Sequence, residues 1–269
     1  MGVLSAGRPV VGRLRGEVLV AVAATAAISA AVLALAWSFP GVRDTPSERD
    51  WVAAAAYAHA ALALAPIVAA LAMATTLTAG DIEAGTYQFA WCIAASRRRW
   101  VASTLAVGLA VLALTSVPLV AAAWALADSL GPVLSATSGP ALIDAAPVLI
   151  VVRAACVFAI GALVGLASGR QMPSMLAGLL VSCLVLGAVE IGFASLREAA
   201  AGVVDPQDPG TFLVVPWNGA APGGGSAQRA LGLTPQTRLL LLGGEVAVLV
   251  GIAAAAALGS VAVAERRRG

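Results

Sequence analysis

Six stretches of the chain, at about 17–39, 52–79, 101–127, 143–168, 172–194 and 238–263, are each long and apolar enough to cross a bilayer. A helix needs about 20 such residues to span ~30 Å of hydrocarbon. Backbone groups there have no water to bond, so only helices or closed barrels satisfy them. The spacing therefore predicts an all-α integral membrane protein of six transmembrane helices, with residues 1–269 forming one transmembrane domain. With 60% hydrophobic and only 11% charged residues, the composition lies outside the range of soluble globular domains. A net charge of +2 gives no sign of a nucleic-acid partner. The first apolar run follows Arg8, Arg13 and Arg15 and contains Ala34-Leu35-Ala36, which looks like a signal-cleavage site. Its core is much longer than the ~7–15 residues of a signal, so it reads as an uncleaved anchor.

Orientation follows from arginine, because the chain has no lysine. Six spans put the N-terminus, the 80–100 connection, the turn at 169–174 and the C-terminal tail on one side, with ten arginines. The other side has five: Arg43, Arg49, Arg197, Arg229 and Arg238. The positive-inside rule then places both termini and the 80–100 segment in the cytoplasm, and the 195–237 segment outside. Cys92, Cys156 and Cys183 show no metal-ligand spacing and read as small packing residues.

The cytoplasmic connection "EAGTYQFAWCIAASRRRW", residues 83–100, is polar at its ends and amphipathic between. Tyr87, Ala90, Trp91 and Ala94 recur at helical spacing, widened by Phe89 and Ile93, which predicts an interfacial helix. Asp81 and Glu83 before it and Arg97 to Arg99 after it would suit its dipole, with Gly85-Thr86 as a joint or cap. A solvated loop that only fixes topology is the plainer reading of the arginines. Ionisable residues inside the spans are His59, Arg153, Glu190 and Glu245. Counted from the cytoplasmic ends they share a level roughly 22–30 Å up, near the outer boundary of the hydrocarbon. An Arg153 pair with Glu190 or Glu245 that locks the outer helix halves, a polar gate and a proton relay all fit that placement. His59 has no second histidine beside it and reads as a packed, hydrogen-bonded residue. Gly161, Gly165 and Gly169 fall four apart, a spacing that lets helix backbones approach closely.

The run from Pro66 through "LTAGDIEAGTYQFAWCIAASRRRWVASTLAVG" resembles the second span and coupling region of type-2 permeases of ATP-binding-cassette exporters, especially those of actinobacteria. Glu83, Gly85, Thr86, Trp91, Ser96, Arg97, Arg99 and Trp100 match that pattern. A weaker likeness is "GALVGLASGRQMPSMLAG" at 161–178, similar to the family's glycine-rich fourth span and its turn into the fifth. Gly80-Asp81 stands where the family often has Arg-Glu, and Thr104 where it often has Lys.

The resemblance implies an exporter permease in the bacterial plasma membrane, moving a small amphipathic or apolar solute such as a drug, natural product, lipid or peptide. A separate ATPase would dock at Asp81, Glu83, Gly85, Thr86, Trp91, Arg97, Arg99 and Trp100. ATP and magnesium would sit on that partner, with no cofactor on this chain. A second permease chain, the same or related, and membrane lipid complete the implied partners. The lysine of a phosphate loop is missing here, in keeping with such a division of labour. In similar exporters short re-entrant helices follow the fifth span, which would make Phe212, Pro216 and Trp217 an outer closure. From the residues alone, an ordered cap on the outer surface fits equally. An ion-gradient-driven secondary transporter and a non-transporting membrane assembly protein are the competing function classes.

Overall fold

The computed structural model describes residues 15–42, 48–86, 96–130, 147–204, 212–216 and 230–266. The apolar runs form long helices: α1 (Arg15–Val42), α2 (Glu48–Thr75), α3 (Arg97–Leu130), α4 (Pro147–Ser168), α5 (Gln171–Ala200) and α6 (Pro235–Arg266). Five of them are long and apolar enough to cross a membrane, while α1 contributes a shorter apolar stretch, Val22–Ser38. Large apolar side chains such as Trp37, Tyr57, Leu114, Leu184 and Leu240 face outward. Such a surface suits hydrocarbon and not water.

α4 is the hub. It packs against α2, α3, α5 and α6, and α1 rests on α2 and α3. Two thirds (67%) of α4's most apolar window is buried, against 11% for α5, so α5 is a peripheral rod held at few places. Close approach to α4 depends on missing side chains. A Cβ on Gly165 would lie 2.1 Å from Thr78 Oγ1, and one on Gly108 of α3 would lie 2.2 Å from the Phe158 ring. Phe158 is the largest fully buried side chain among the described residues and fills the space that Gly108 leaves. Helix association in lipid has no hydrophobic drive, so such tight van der Waals contact is what holds the bundle.

α2 does not stop at Thr75. It passes through a π-helical turn, Thr76–Gly80, and ends with one α-turn, Asp81–Glu83. A π-turn disturbs the backbone ladder, and three threonine hydroxyls donate to nearby carbonyls. Thr75 Oγ1 bonds Leu71 O at 3.0 Å, Thr76 Oγ1 bonds Ala72 O at 2.9 Å, and Thr78 Oγ1 bonds Ala74 O at 2.8 Å.

The segment between α5 and α6 departs from the expected re-entrant helices. Its described part is a three-stranded antiparallel sheet, β1 (Gly202–Val204), β2 (Phe212–Pro216) and β3 (Ala230–Leu233), in the order β1-β3-β2. "FLVVP" is rich in strand-forming residues, and its proline ends an edge strand, where a missing donor is tolerated. Open sheet edges are not tolerated in hydrocarbon, so this sheet lies beyond it. β1 follows α5 directly and pairs with β3, which leads into α6 (Gly202 with Gly232, Val204 with Ala230), so the sheet clasps those two helix ends.

The glycine seam yields a test. Gly165→Ala is expected to lower the melting temperature in detergent markedly, and Thr78→Ala in the same chain to recover part of the loss. Gly187, with nothing within 4 Å of an added Cβ, is the control. Gly187→Ala should leave stability unchanged or raise it by up to about 1 kcal/mol, the helix-propensity difference.

Candidate functional site

Three of the four intramembrane ionisable residues meet in one cluster, joined by a fourth residue from the end of α5. Arg153 of α4 donates through Nη2 to Glu190 Oε2 at 2.5 Å and to Glu245 Oε1 at 2.6 Å. Arg197 donates through Nη1 to Glu190 Oε1 at 3.2 Å and through Nη2 to Glu245 Oε2 at 2.7 Å. Each arginine bridges both glutamates and each glutamate bridges both arginines, a closed ring of two positive and two negative charges. The Glu245 side chain is completely buried and that of Arg153 nearly so.

Helix geometry puts the four together. Glu190 and Arg197 are seven apart on α5, two turns, and so share a face. Glu190 lies about 28 Å from the start of α5 at ~1.5 Å per residue, close to the far edge of the hydrocarbon. Directly beyond lies the β1–β3 clasp, which fixes how near α5 and α6 can stand. Taking these charges from water is costly, and only a ring that satisfies every member through hydrogen bonds offsets that cost. His59, half-buried on α2, makes none of the ring's four bonds.

Arg197 escaped the sequence reading because hydropathy ends the fifth span near residue 194, while the helix continues to Ala200. Its seven-residue spacing from Glu190 was the available signal.

At the opposite end, Asp81 and Glu83 form the last turn of α2. The Gly85 N–H donates to Ile82 O (3.0 Å) and the Thr86 N–H to Asp81 O (3.1 Å), with Gly85 at a φ of 69°. This is a Schellman cap, and its left-handed position favours glycine. Gly85 and Thr86 therefore terminate α2 and form no loose joint. Thr86 Oγ1 also donates to Asp81 Oδ1 at 3.3 Å.

Arg97 to Arg99 open α3, with Ser96 Oγ accepting from the Arg99 N–H at 3.1 Å. Asp81 and Glu83 thus end one described helix and the arginines begin the next, and the expected interfacial helix between them falls on residues outside those described. Trp100 is buried in the core beside Leu77, Val101 and Leu105, so its ring supports this end from inside. The stretch 87–95, with Trp91, lies outside the described residues.

Glu83 has a partner that the sequence did not reveal. Its Oε2 accepts from the backbone N–H of Gln171, the first residue of α5, at 2.7 Å. The Gln171 side chain donates from Nε2 to Thr76 Oγ1 at 3.2 Å. Of the expected outer closure, Phe212 and Pro216 stand at the two ends of β2, and Trp217 lies outside the described residues.

A family model described as ABC-2 membrane transporter related matches residues 43–193. That stretch takes in the α2–α3 connection, Arg153 and Glu190. No curated protein matches the chain, and no solved structure does.

The ring predicts its own energetics. Arg153→Ala and Glu245→Gln should each destabilise the chain by about 3–5 kcal/mol, the usual cost of breaking a buried pair. The double variant Arg153→Met with Glu245→Gln should lose clearly less than the sum. Thermal melts in a mild detergent measure both. Single variants that melt like the parent would exclude a structural lock and favour a gate.

Proposed function

The chain belongs to the ABC-2 membrane transporter related family, matched over more than half its length, and from that premise we propose that it is the permease subunit of an ABC-type exporter. It is a multi-pass membrane protein, with several helices of spanning length around α4. In this reading it moves a small amphipathic or apolar solute outward, and a separate ATPase subunit hydrolyses the ATP. The family match carries the proposal. The exposed face of α5 and the apolar surface of α6 would meet lipid or a second permease chain.

The arginine bias supports a cytoplasmic α2–α3 connection, with the sheet and the ionic ring toward the outside. The docking surface would be built from Asp81, Glu83, Gly85, Thr86, Trp91, Arg97 and Arg99, with Trp100 bracing it from the core. Arg98 and Arg99 are exposed at the start of α3, where positive charge opposes the helix dipole. The exposed charge of Arg98 at this unfavourable position fits an acidic face of the ATPase or the membrane surface. Pairing of Glu190 and Glu245 with both Arg153 and Arg197 favours a structural or gating role over ion coupling.

Purification from native membranes in mild detergent, followed by mass spectrometry, should recover a stoichiometric ATPase with a phosphate-binding loop. Its absence would return weight to a self-contained transporter. Arg98→Glu with Arg99→Glu should reduce the recovered ATPase several-fold while leaving the melting temperature equal or slightly higher. A fall in both together would mark the arginines as structural.

A further inference from the structure

α5 is bonded mainly at its two ends. Little of its apolar length is buried; its fully buried positions are the small residues Ser174, Gly178 and Ser182, one turn apart, with Val185, Leu186 and Val189 packing against the core beyond them. Gly178 is small because Leu71 of α2 presses on it; an added Cβ would lie 2.8 Å from Leu71 Cδ1. The ends are different. The outer end carries Glu190 and Arg197 of the ring, and the inner end meets Glu83 and Thr76 of α2.

The inner contact is a helix cap supplied by another helix. The N-cap residue of α5, Arg170, is extended (φ −132°, ψ 132°) and makes no side-chain cap bond. The first N–H groups of a helix lack intrahelical partners, and a carboxylate there gains both a charge-assisted bond and the dipole. Glu83 fills that role across the interface, and the Schellman turn immediately after it fixes where its side chain starts.

Resting on the permease reading, we propose that Glu83 is a positioning residue that latches the end of α2 to the start of α5. Motion imposed on the α2–α3 connection by the ATPase then passes along α5 to the ionic ring. The α2–α3 connection and the ring lie at opposite ends of the bundle, and α5 joins them as a single unbroken helix.

The test removes the latch from either side. Glu83→Gln removes the charge. Gln171→Pro removes the N–H along with the side-chain bond to Thr76, and the helix should persist because proline is tolerated at the first helical position and the extended Arg170 suits the residue before a proline. Gln171→Ala removes the side-chain bond but keeps the N–H, and so serves as the control that isolates the contact with Glu83. With the natural cysteines replaced by alanine, spin labels at the exposed positions Ala84 and Leu176 report the latch in the chain alone, in lipid nanodiscs. Labels at Leu196 and Leu239 report the outer ends of α5 and α6 in the complex with the recovered ATPase.

The parent should give a narrow 84–176 distance distribution and an ATP-dependent shift in the 196–239 distance. Glu83→Gln and Gln171→Pro should each broaden the first and abolish the second, and in Gln171→Pro, which leaves the docking surface intact, ATP hydrolysis should stay within about twofold. The double variant should be no worse than either alone, as expected for two halves of one contact. Gln171→Ala should behave as the parent.

A narrow 84–176 distribution in Glu83→Gln overturns the latch, and an ATP-dependent 196–239 shift that survives in it overturns the transmission role. A parent complex that shows no such shift with ATP overturns that role too. Recovery of no ATPase at all refutes the permease reading, and the nanodisc measurement then still decides the latch.

Discussion

Hydrocarbon leaves no polar group a solvent partner, and most of this structure follows from that constraint. Backbone groups are satisfied within helices. Where α2 departs from α-geometry, threonine hydroxyls bond its carbonyls. Buried serines and threonines elsewhere, such as Ser29, Ser116 and Ser260, return their protons to carbonyls four residues back. Among the described residues, four charged side chains meet as a mutually bonded set, and the open sheet is left to the region beyond the lipid.

Packing obeys a second rule. Because lipid tails are as apolar as leucine, burying apolar surface gains little here, and the helices are held by how closely their backbones can approach. That explains why α4, the hub, carries Gly161 and Gly165, and why Thr78 and Phe158 sit against glycines. A soluble bundle of the same length would fill those positions with larger residues.

The spans were legible because periodicity is irrelevant when both faces are apolar; length and composition suffice. Arg153, Glu190 and Glu245 were legible as expensive residues at one level, but their closure required Arg197, hidden by a helix that outruns its apolar core. Glu83 was identified by motif, yet its bond to Gln171 spans 88 residues, and no local pattern announces such a contact. The strands were missed because their short runs are overshadowed by glycine and proline around them. The π-turn had no reading either, since a threonine cluster in an apolar helix has several other uses.

The ring also bears on the electrical state of the membrane. Moving one elementary charge through the full transmembrane field involves about 2.3 kcal/mol per 100 mV. α5 contributes one glutamate and one arginine to the ring, so in their ionised forms its share of the charge sums to zero. A shift of this helix carries no net charge from the ring through the field, and membrane voltage does almost no work on it. Whatever drives α5, the pairing of Glu190 with Arg197 on that one helix insulates its ring charges from the potential that the same membrane maintains.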